Sequence, residues 1–256
     1  MQGSRLLCLE ILIVIVTLNT RRCAAQISKI SVLDTIAGTN RQKLASYVTP
    51  SIFVLYGVFA PKFNISSRLD KNTNAELRED HPGFAFPLDN YLRYAPAFVV
   101  YGVDALGFKA KHDMIDRSIM LLIAGAITST GVTLSKNNIN RLRPGGGIHS
   151  FPSSHTATAF MTAEFMHQEF KDDYPLVSFL GYVTATATGV LRLYNGAHWV
   201  SDVAAGAGYG ILATKISYLL YPAVKQLVFH KKSIHLVVLP VRDPSYMGIV
   251  LIHSFN

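Results

Sequence analysis

Three short stretches of this 256-residue chain gather the side chains that handle an anion: fixed cations, imidazoles and a carboxylate. In Lys136-Asn-Asn-Ile-Asn-Arg141-Leu-Arg143-Pro144 the two outer cations stand seven residues apart, two helical turns, so a helix running on to Pro144 projects both from one face. A rigid Arg fork beside a Lys point charge matches the oxygens of a phosphate. In Phe151-Pro152-Ser153-Ser154-His155, turn residues and a Ser cap lead into an apolar helix. That arrangement aims free backbone N–H groups at an anion, with His155 alongside. In Arg192-Leu-Tyr-Asn195-Gly196-Ala-His198-Trp199-Val-Ser-Asp202 the Asn-Gly pair starts a helix on which His198 and Asp202, i and i+4, share a face. A carboxylate there holds one imidazole nitrogen while the other points at substrate.

Each cluster alone has an ordinary explanation. Basic residues after an apolar segment anchor it at an interface, Pro-Ser-Ser-His caps a helix, and a His/Asp pair on a helix is usually a structural hydrogen bond. Composition alone seldom generates the first and third patterns, yet both occur, in order, flanking the second. His149 and Arg141 are assigned to the rim of the same site, and Trp199 to packing or interfacial contact.

The elements that position these clusters are apolar. Charge-free runs cover residues 44–61, 118–135 and 174–191, and Gly/Ala-rich and shorter apolar runs cover 203–221 and 94–108. Each is near the ~18 to 20 residues that cross a bilayer, though a soluble bundle with fully buried central helices has the same pattern. The charged stretch 62–87, with its His81-Pro82-Gly83 breaker, reads as a surface loop. The tail alternates with period two on either side of Arg242-Asp243-Pro244-Ser245, the pattern of a short C-terminal β-hairpin. Residues 1–25 read as a secretory signal: Arg5, an apolar run from Leu6 to Leu18, and small residues at Ala24-Ala25. The expected organisation is thus a signal (1–25), an N-terminal segment with a polar loop (26–87), a helical core (88–222) and a tail (223–256).

Composition narrows the partners. Half the residues are hydrophobic and 16% are charged, which excludes a disordered chain. The formal charge of +8 favours anionic partners, and without a run of five Lys/Arg or a zinc-type Cys/His spacing the anion is small or membrane-borne, not nucleic acid. Both cysteines, Cys8 and Cys23, fall in the signal, leaving none for disulfides or a thiolate metal site.

Lys136 with Arg143-Pro144, Pro152-Ser153-Ser154-His155, and Arg192 with His198 and Asp202 together resemble the three-part signature of the type 2 phosphatidic acid phosphatase superfamily, which includes bacterial acid phosphatases and vanadium haloperoxidases. The resemblance spans residues 136–202, with compatible helical surroundings from Asp89 to Tyr221. It departs from the usual pattern at Ser154, where the family generally has Gly, and at Leu191, where a Ser commonly precedes the Arg. It implies an all-α helical bundle and a phosphatase that needs no metal or other cofactor. It further implies that His198 is the nucleophile, Asp202 orients it, and His155 protonates the leaving oxygen and then activates water. Lys136, Arg143, Arg192, the Ser153 hydroxyl and the Ser154 N–H are implied to surround the phosphoryl oxygens. Such a site agrees with phosphoryl-transfer chemistry, in which positioned cations and N–H donors stabilise charge spread over the equatorial oxygens.

The leading function is hydrolysis of phosphomonoesters or diphosphates of a membrane lipid. Alternatives are a soluble exported acid phosphatase, a vanadate-dependent haloperoxidase in which His198 ligates vanadium, and a non-catalytic envelope interaction protein. Counting crossings with 44–61 omitted as a span places the motifs outside the cytoplasm, with Lys109, Lys111, Arg117, Lys171, Lys225, Lys231 and Lys232 inside.

Overall fold

The charge-free runs become helices, because a long apolar segment has only its own backbone with which to satisfy its N–H and C=O groups. The computed structural model describes residues 44–228 and the backbone of 235–243 and 246–254. The segment read as a signal lies outside the described residues. In chain order the described helices are α1 (Val48–Phe59), a 3-10 turn at Ala60–Lys62, α2 (Asn64–Asp80), the single turn α3 (Asp89–Leu92), α4 (Ala95–Ala105), α5 (Met114–Asn138), α6 (Ser154–Phe170), α7 (Pro175–Tyr194) and α8 (Val200–Val228). The chain divides into a unit ending at Tyr221 and a second, Pro222–Asn256. In the second, β1 (His235–Asp243) pairs antiparallel with β2 (Tyr246–Ser254), Asp243 opposite Tyr246.

The first unit is an all-α bundle built around α6. Ala157, Ala159, Ala163, Phe165, Met166 and Phe170 of this helix are buried, and α4, α5 and α7 pack against it. Val100, Phe165, Met166 and Phe170 form one core cluster, bordered by Tyr101, Leu121, Val177 and Tyr218. Small residues set the helix spacing. A Cβ on Gly210 of α8 would lie 2.2 Å from the Ala157 carbonyl oxygen and 2.6 Å from the Met161 nitrogen, and one on Gly206 would lie 2.7 Å from the Ser153 oxygen. Backbone therefore meets backbone where α8 crosses α6.

Buried carboxylates of α6 are paired, as burial requires. Glu164 takes Lys215 at 3.0 Å together with the Tyr182 hydroxyl, and Glu169 accepts from His112 at 2.9 Å and Tyr218 at 2.5 Å. Outward faces are apolar: Leu122 and Leu134 on α5 and Leu176, Phe179 and Leu180 on α7 are exposed. Helices α5, α7 and α8 are long and apolar enough to cross a membrane, and α1 with α2 forms a bent pair, broken by 87°, that passes the same test as one span. These features support membrane association.

The stretch 62–87 differs from its reading as a loop. Seventeen of its residues form α2, whose side chains are mostly exposed but whose Asp70 is buried. Its polar composition hides the helix, because the buried face presents a carboxylate where an amphipathic helix presents apolar groups. The segment set apart as N-terminal also docks on the core: a Cβ on Gly57 of α1 would meet Ala205 Cβ at 2.4 Å and the Ser201 oxygen at 2.6 Å.

Gly210→Ala should accordingly force α6 and α8 apart and cost about 1 to 3 kcal/mol, the range for an overpacked core. Gly125→Ala, whose Cβ would meet nothing within 4 Å, should be neutral or stabilising. Thermal unfolding of both variants in detergent checks the contrast, and equal stability would refute the close crossing.

Candidate active site

The first cluster does not continue as a helix to Pro144. Helix α5 stops at Asn138, Ile139 is extended, and the Asn138 amide donates to the Leu134 carbonyl at 2.7 Å. The residue before a proline is disfavoured in helical backbone, so an unbroken helix through Arg143 is resisted locally. Lys136 and Arg143 are brought into register instead by a closed loop. Lys136 Nζ donates to the His149 carbonyl at 2.7 Å, and His149 Nδ1 returns a bond to the Lys136 carbonyl at 2.9 Å. The Arg143 N–H donates to the Gly147 carbonyl at 3.0 Å and the Ser150 N–H to the Arg141 carbonyl at 2.9 Å. His149, partly exposed, thus closes the loop. Neither Lys136 nor Arg143 has a carboxylate partner among the described residues. Arg143, Arg192 and Asp202 all lie within electrostatic reach of Lys136.

The second cluster caps α6 as its sequence suggests. Ser153 is the N-cap: its oxygen accepts from the Thr156 N–H at 3.3 Å and from the Thr156 hydroxyl at 2.9 Å. The residue is fully buried, so as placed its hydroxyl serves the helix rather than an open face. Ser154 and His155 open the first turn and are partly exposed. His155 Nε2 donates to Asn90 Oδ1 at 2.8 Å, which places the ring proton on that nitrogen. Asn90 belongs to α3, and its neighbour Asp89 holds Arg192 Nη1 at 2.5 Å. Arg192 Nε is buried without a hydrogen-bond partner among the described residues. One helical turn thus positions two of the expected site residues.

In the third cluster His198 precedes the helix instead of riding on it. Helix α8 begins at Val200, and Asp202, in its first turn, reaches back to the Trp199 N–H at 3.0 Å in the manner of the returning arm of a capping box. That bond brings Asp202 Oδ2 to 3.7 Å from His198 Nδ1. The separation exceeds a hydrogen bond, and Nδ1 has no other partner among the described residues. Both carboxylate oxygens are otherwise engaged: Oδ2 by the Ser150 hydroxyl at 2.5 Å, and Oδ1 by Arg141 Nη1 at 2.7 Å. His198 is 3% exposed and Asp202 fully buried.

Electrostatics follow from this enclosure. Burial pushes His198 below its ordinary value, against the pull of the Asp202 carboxylate, and the Arg192 and Lys136 charges push it further down. Burial, with the Arg192 and Arg93 charges, lowers His155 to about 4. Both imidazoles are therefore neutral at pH 7. Among the described residues no group of three or more His, Cys, Asp or Glu is arranged to hold a metal.

Several positioning groups escaped the sequence reading. Arg141, assigned to the rim, has its guanidinium inserted between Asp202 and Asp70, 2.7 Å from an oxygen of each. Asp70, Asp89, Asn90 and Ser150 were not singled out. Their partners lie 52 to 131 residues away, and no local spacing announces such pairings. The nearest signal is the burial of acids in otherwise polar stretches, visible only once the helices are assembled.

The comparisons align with this geometry. A lipid A 1-phosphatase of Porphyromonas gingivalis is 33% identical over 150 residues, 56% of this chain and 33% of that protein. The bacitracin transport permease protein BcrC of Bacillus licheniformis is 32% identical over 109 residues, 38% of this chain and 52% of that protein. The chain thus spans from a third to about half the length of these curated relatives. A transmembrane PAP2 type phosphatidylglycerolphosphate phosphatase from Bacillus subtilis superposes with a TM-score of 0.48 at 21% identity, covering 72% of this chain and 98% of its own. Aquifex aeolicus LpxE gives 0.42 at 22% identity, covering 56% and 93%. Residues 144–226 match the family model described as the PAP2 superfamily. That match begins at the Pro144 of the first cluster and takes in the whole of the second and third, so the similarity to the PAP2 superfamily falls on this part of the helical core.

Proposed function

We propose that this protein is a metal-independent phosphatase that hydrolyses phosphomonoesters or diphosphates of a membrane lipid through a phosphohistidine on His198. The observation that carries the reading is a buried neutral imidazole, backed by the Asp202 carboxylate and set within electrostatic reach of Lys136 and Arg192. A neutral His198 with its proton on Nδ1 leaves Nε2 free to attack phosphorus. As that P–N bond forms, the bond from phosphorus to the leaving oxygen breaks, and Asp202 stabilises the positive ring. Lys136, Arg143 and Arg192, with the Ser154 N–H at the start of α6, receive the phosphoryl oxygens, while the Ser153 hydroxyl holds the cap of that helix.

His155 is the acid for the leaving oxygen. Burial first, and then the Arg192 and Arg93 charges, keep it neutral at pH 7, and an arriving phosphate offsets those two charges. Substrate binding and protonation of His155 are thereby coupled. In the second half, His155 takes a proton from water as the water oxygen attacks phosphorus and the P–N bond breaks, releasing phosphate and restoring His198.

A lipid substrate is supported by the exposed apolar faces of the bundle and by the names of the relatives. The site lies where α5 and α7 end and α6 and α8 begin, one end of the membrane-competent helices. We assign the site to the extracytoplasmic side, which puts Lys109, Lys111 and Lys171, in the connections at the other end, on the cytoplasmic side.

Phosphate release from a panel of phospholipid and water-soluble esters tests the reading. Lipid esters should be preferred, EDTA should leave the rate unchanged, and vanadate should inhibit by occupying the phosphoryl position. Loss of activity in EDTA restored by magnesium would overturn the mechanism.

The pH profile supplies a second test. An aryl phosphate needs no proton on its leaving group, so its kcat/KM, corrected for substrate ionisation, requires only the free base of His198. A lowered pKa keeps that base free to lower pH, and the acid limb should fall below pH 6.5, the ordinary histidine value. A limb above pH 7 would contradict a buried neutral nucleophile.

A further inference from the structure

We infer that Asp70, on the polar helix α2, is a positioning residue for the reaction proposed above: it holds Arg141 and the first turn of α8 so that Asp202 stays aimed at His198. The inference rests on that reading of His198 as nucleophile and adds a part of the machinery from outside all three clusters.

The chemistry starts at the end of α8. A helix leaves its first backbone N–H groups unpaired, and a side chain at the N-cap normally takes one of them. Trp199 stands at that position and has no acceptor; its indole N–H donates away, to the Leu142 carbonyl at 2.8 Å. Asp70 takes over from another helix. Its Oδ1 accepts the Ser201 N–H at 3.0 Å and its Oδ2 the Ser201 hydroxyl at 2.6 Å, where the negative charge also suits the helix N-terminus.

The same carboxylate holds the guanidinium that reaches the site. Arg141 Nη2 donates to Asp70 Oδ2 at 2.7 Å, while Nη1 donates to Asp202 Oδ1 at 2.7 Å and to the Ser201 hydroxyl at 2.8 Å. Asp70 is 2% exposed and Asp202 fully buried, so a cation whose side chain is 15% exposed bridges two buried anions. Removing Asp70 leaves the Arg141 charge uncompensated on that side and its Nη2 fork unpaired, conditions in which the guanidinium re-aims on Asp202. Asp202 has one orientation that serves His198, with Oδ2 facing Nδ1, and Arg141 on Oδ1 selects it. Farther along α2, the Arg78 guanidinium lies within about 3.6 Å of the positions a Cβ would take on Gly145 and Gly196, which are joined by the Gly145 N–H to the Gly196 carbonyl at 2.8 Å. One helix therefore braces the loops of the first and third clusters.

The test uses the full chain in detergent, with Asp70→Asn, Arg141→Lys and the double variant assayed on an aryl phosphate. Asp70→Asn should lower kcat tenfold to a hundredfold, the range for groups that orient a reacting imidazole or ligand. KM and the inhibition constant for vanadate should stay within about twofold, since the phosphate-binding cations are untouched. Arg141→Lys, which keeps the charge and loses the fork, should show the same split, and the double variant should be no slower than the slower single. Asp70→Asn with kcat within twofold of the parent, or with kcat and vanadate affinity falling together, would overturn the inference. Should Asp70→Asn fail to fold, the split in Arg141→Lys decides. Should the parent chain release no phosphate from any ester, the proposed function falls, and positioning is read from the 15N resonance of His198 Nδ1. Asp70→Asn should move that resonance, and an unmoved one refutes the role.

Discussion

The site depends on a guanidinium held between two buried carboxylates. Arg141 fills one oxygen of Asp202, and Ser150 and the Trp199 N–H fill the other, so the buried carboxylate that faces His198 cannot rotate without breaking these bonds. Each of these donors comes from a different place: the loop after α5, the approach to α6, and the start of α8. The orientation of one side chain thereby fixes three loops relative to one another. The cost of burying Asp70, Arg141 and Asp202 is offset only because every charge has an opposite one at hydrogen-bond distance.

That network can be specific because its floor is rigid. Helices α6 and α8 meet through Gly206 and Gly210 with backbone against side chain and backbone, and α1 meets α8 through Gly57 in the same way. Small residues at the crossings leave no long side chains to repack, so the N-termini of α6 and α8 stand in a fixed relation. Ser153 caps α6 and its own N–H donates to the Asp202 carbonyl at 3.1 Å, which stitches the two helix starts together directly. The cations proposed to receive phosphate are then positioned by what is left: Lys136 by the His149 carbonyl, and Arg192 by Asp89.

The sequence reading recovered the helices and the chemistry unevenly, for physical reasons. Long apolar runs announce these helices, charge-free for α1, α5 and α7 and interrupted by Asp104 in α4 and Lys215 in α8, because burying or membrane-embedding a helix on most sides demands such composition. The residues proposed to react were legible as candidates because phosphoryl transfer requires cations, imidazoles and a carboxylate at short, fixed spacings. Helix α2 was hidden: Asp70 works by charge, and a charged residue in a charged stretch looks like solvent-facing loop. Arg141 was visible as a residue but not as a bridge, since its partners on α2 and α8 lie 71 and 61 residues away. Local spacing also misled at two helix ends. Seven residues from Lys136 to Arg143 and four from His198 to Asp202 suggested shared helix faces, whereas loop closure after Asn138 and the backward reach of Asp202 produce the proximity.

The central claim is that His198 carries the phosphoryl group. Rapid quenching of the full chain with a phosphate-labelled lipid ester, followed by peptide mapping under alkaline conditions that preserve phosphoramidates, tests it most directly. The account predicts an acid-labile label on the peptide containing His198, absent in His198→Ala and persisting longer when His155 is replaced. Label on any other residue, or turnover by His198→Ala at a rate near that of the parent chain, would contradict it.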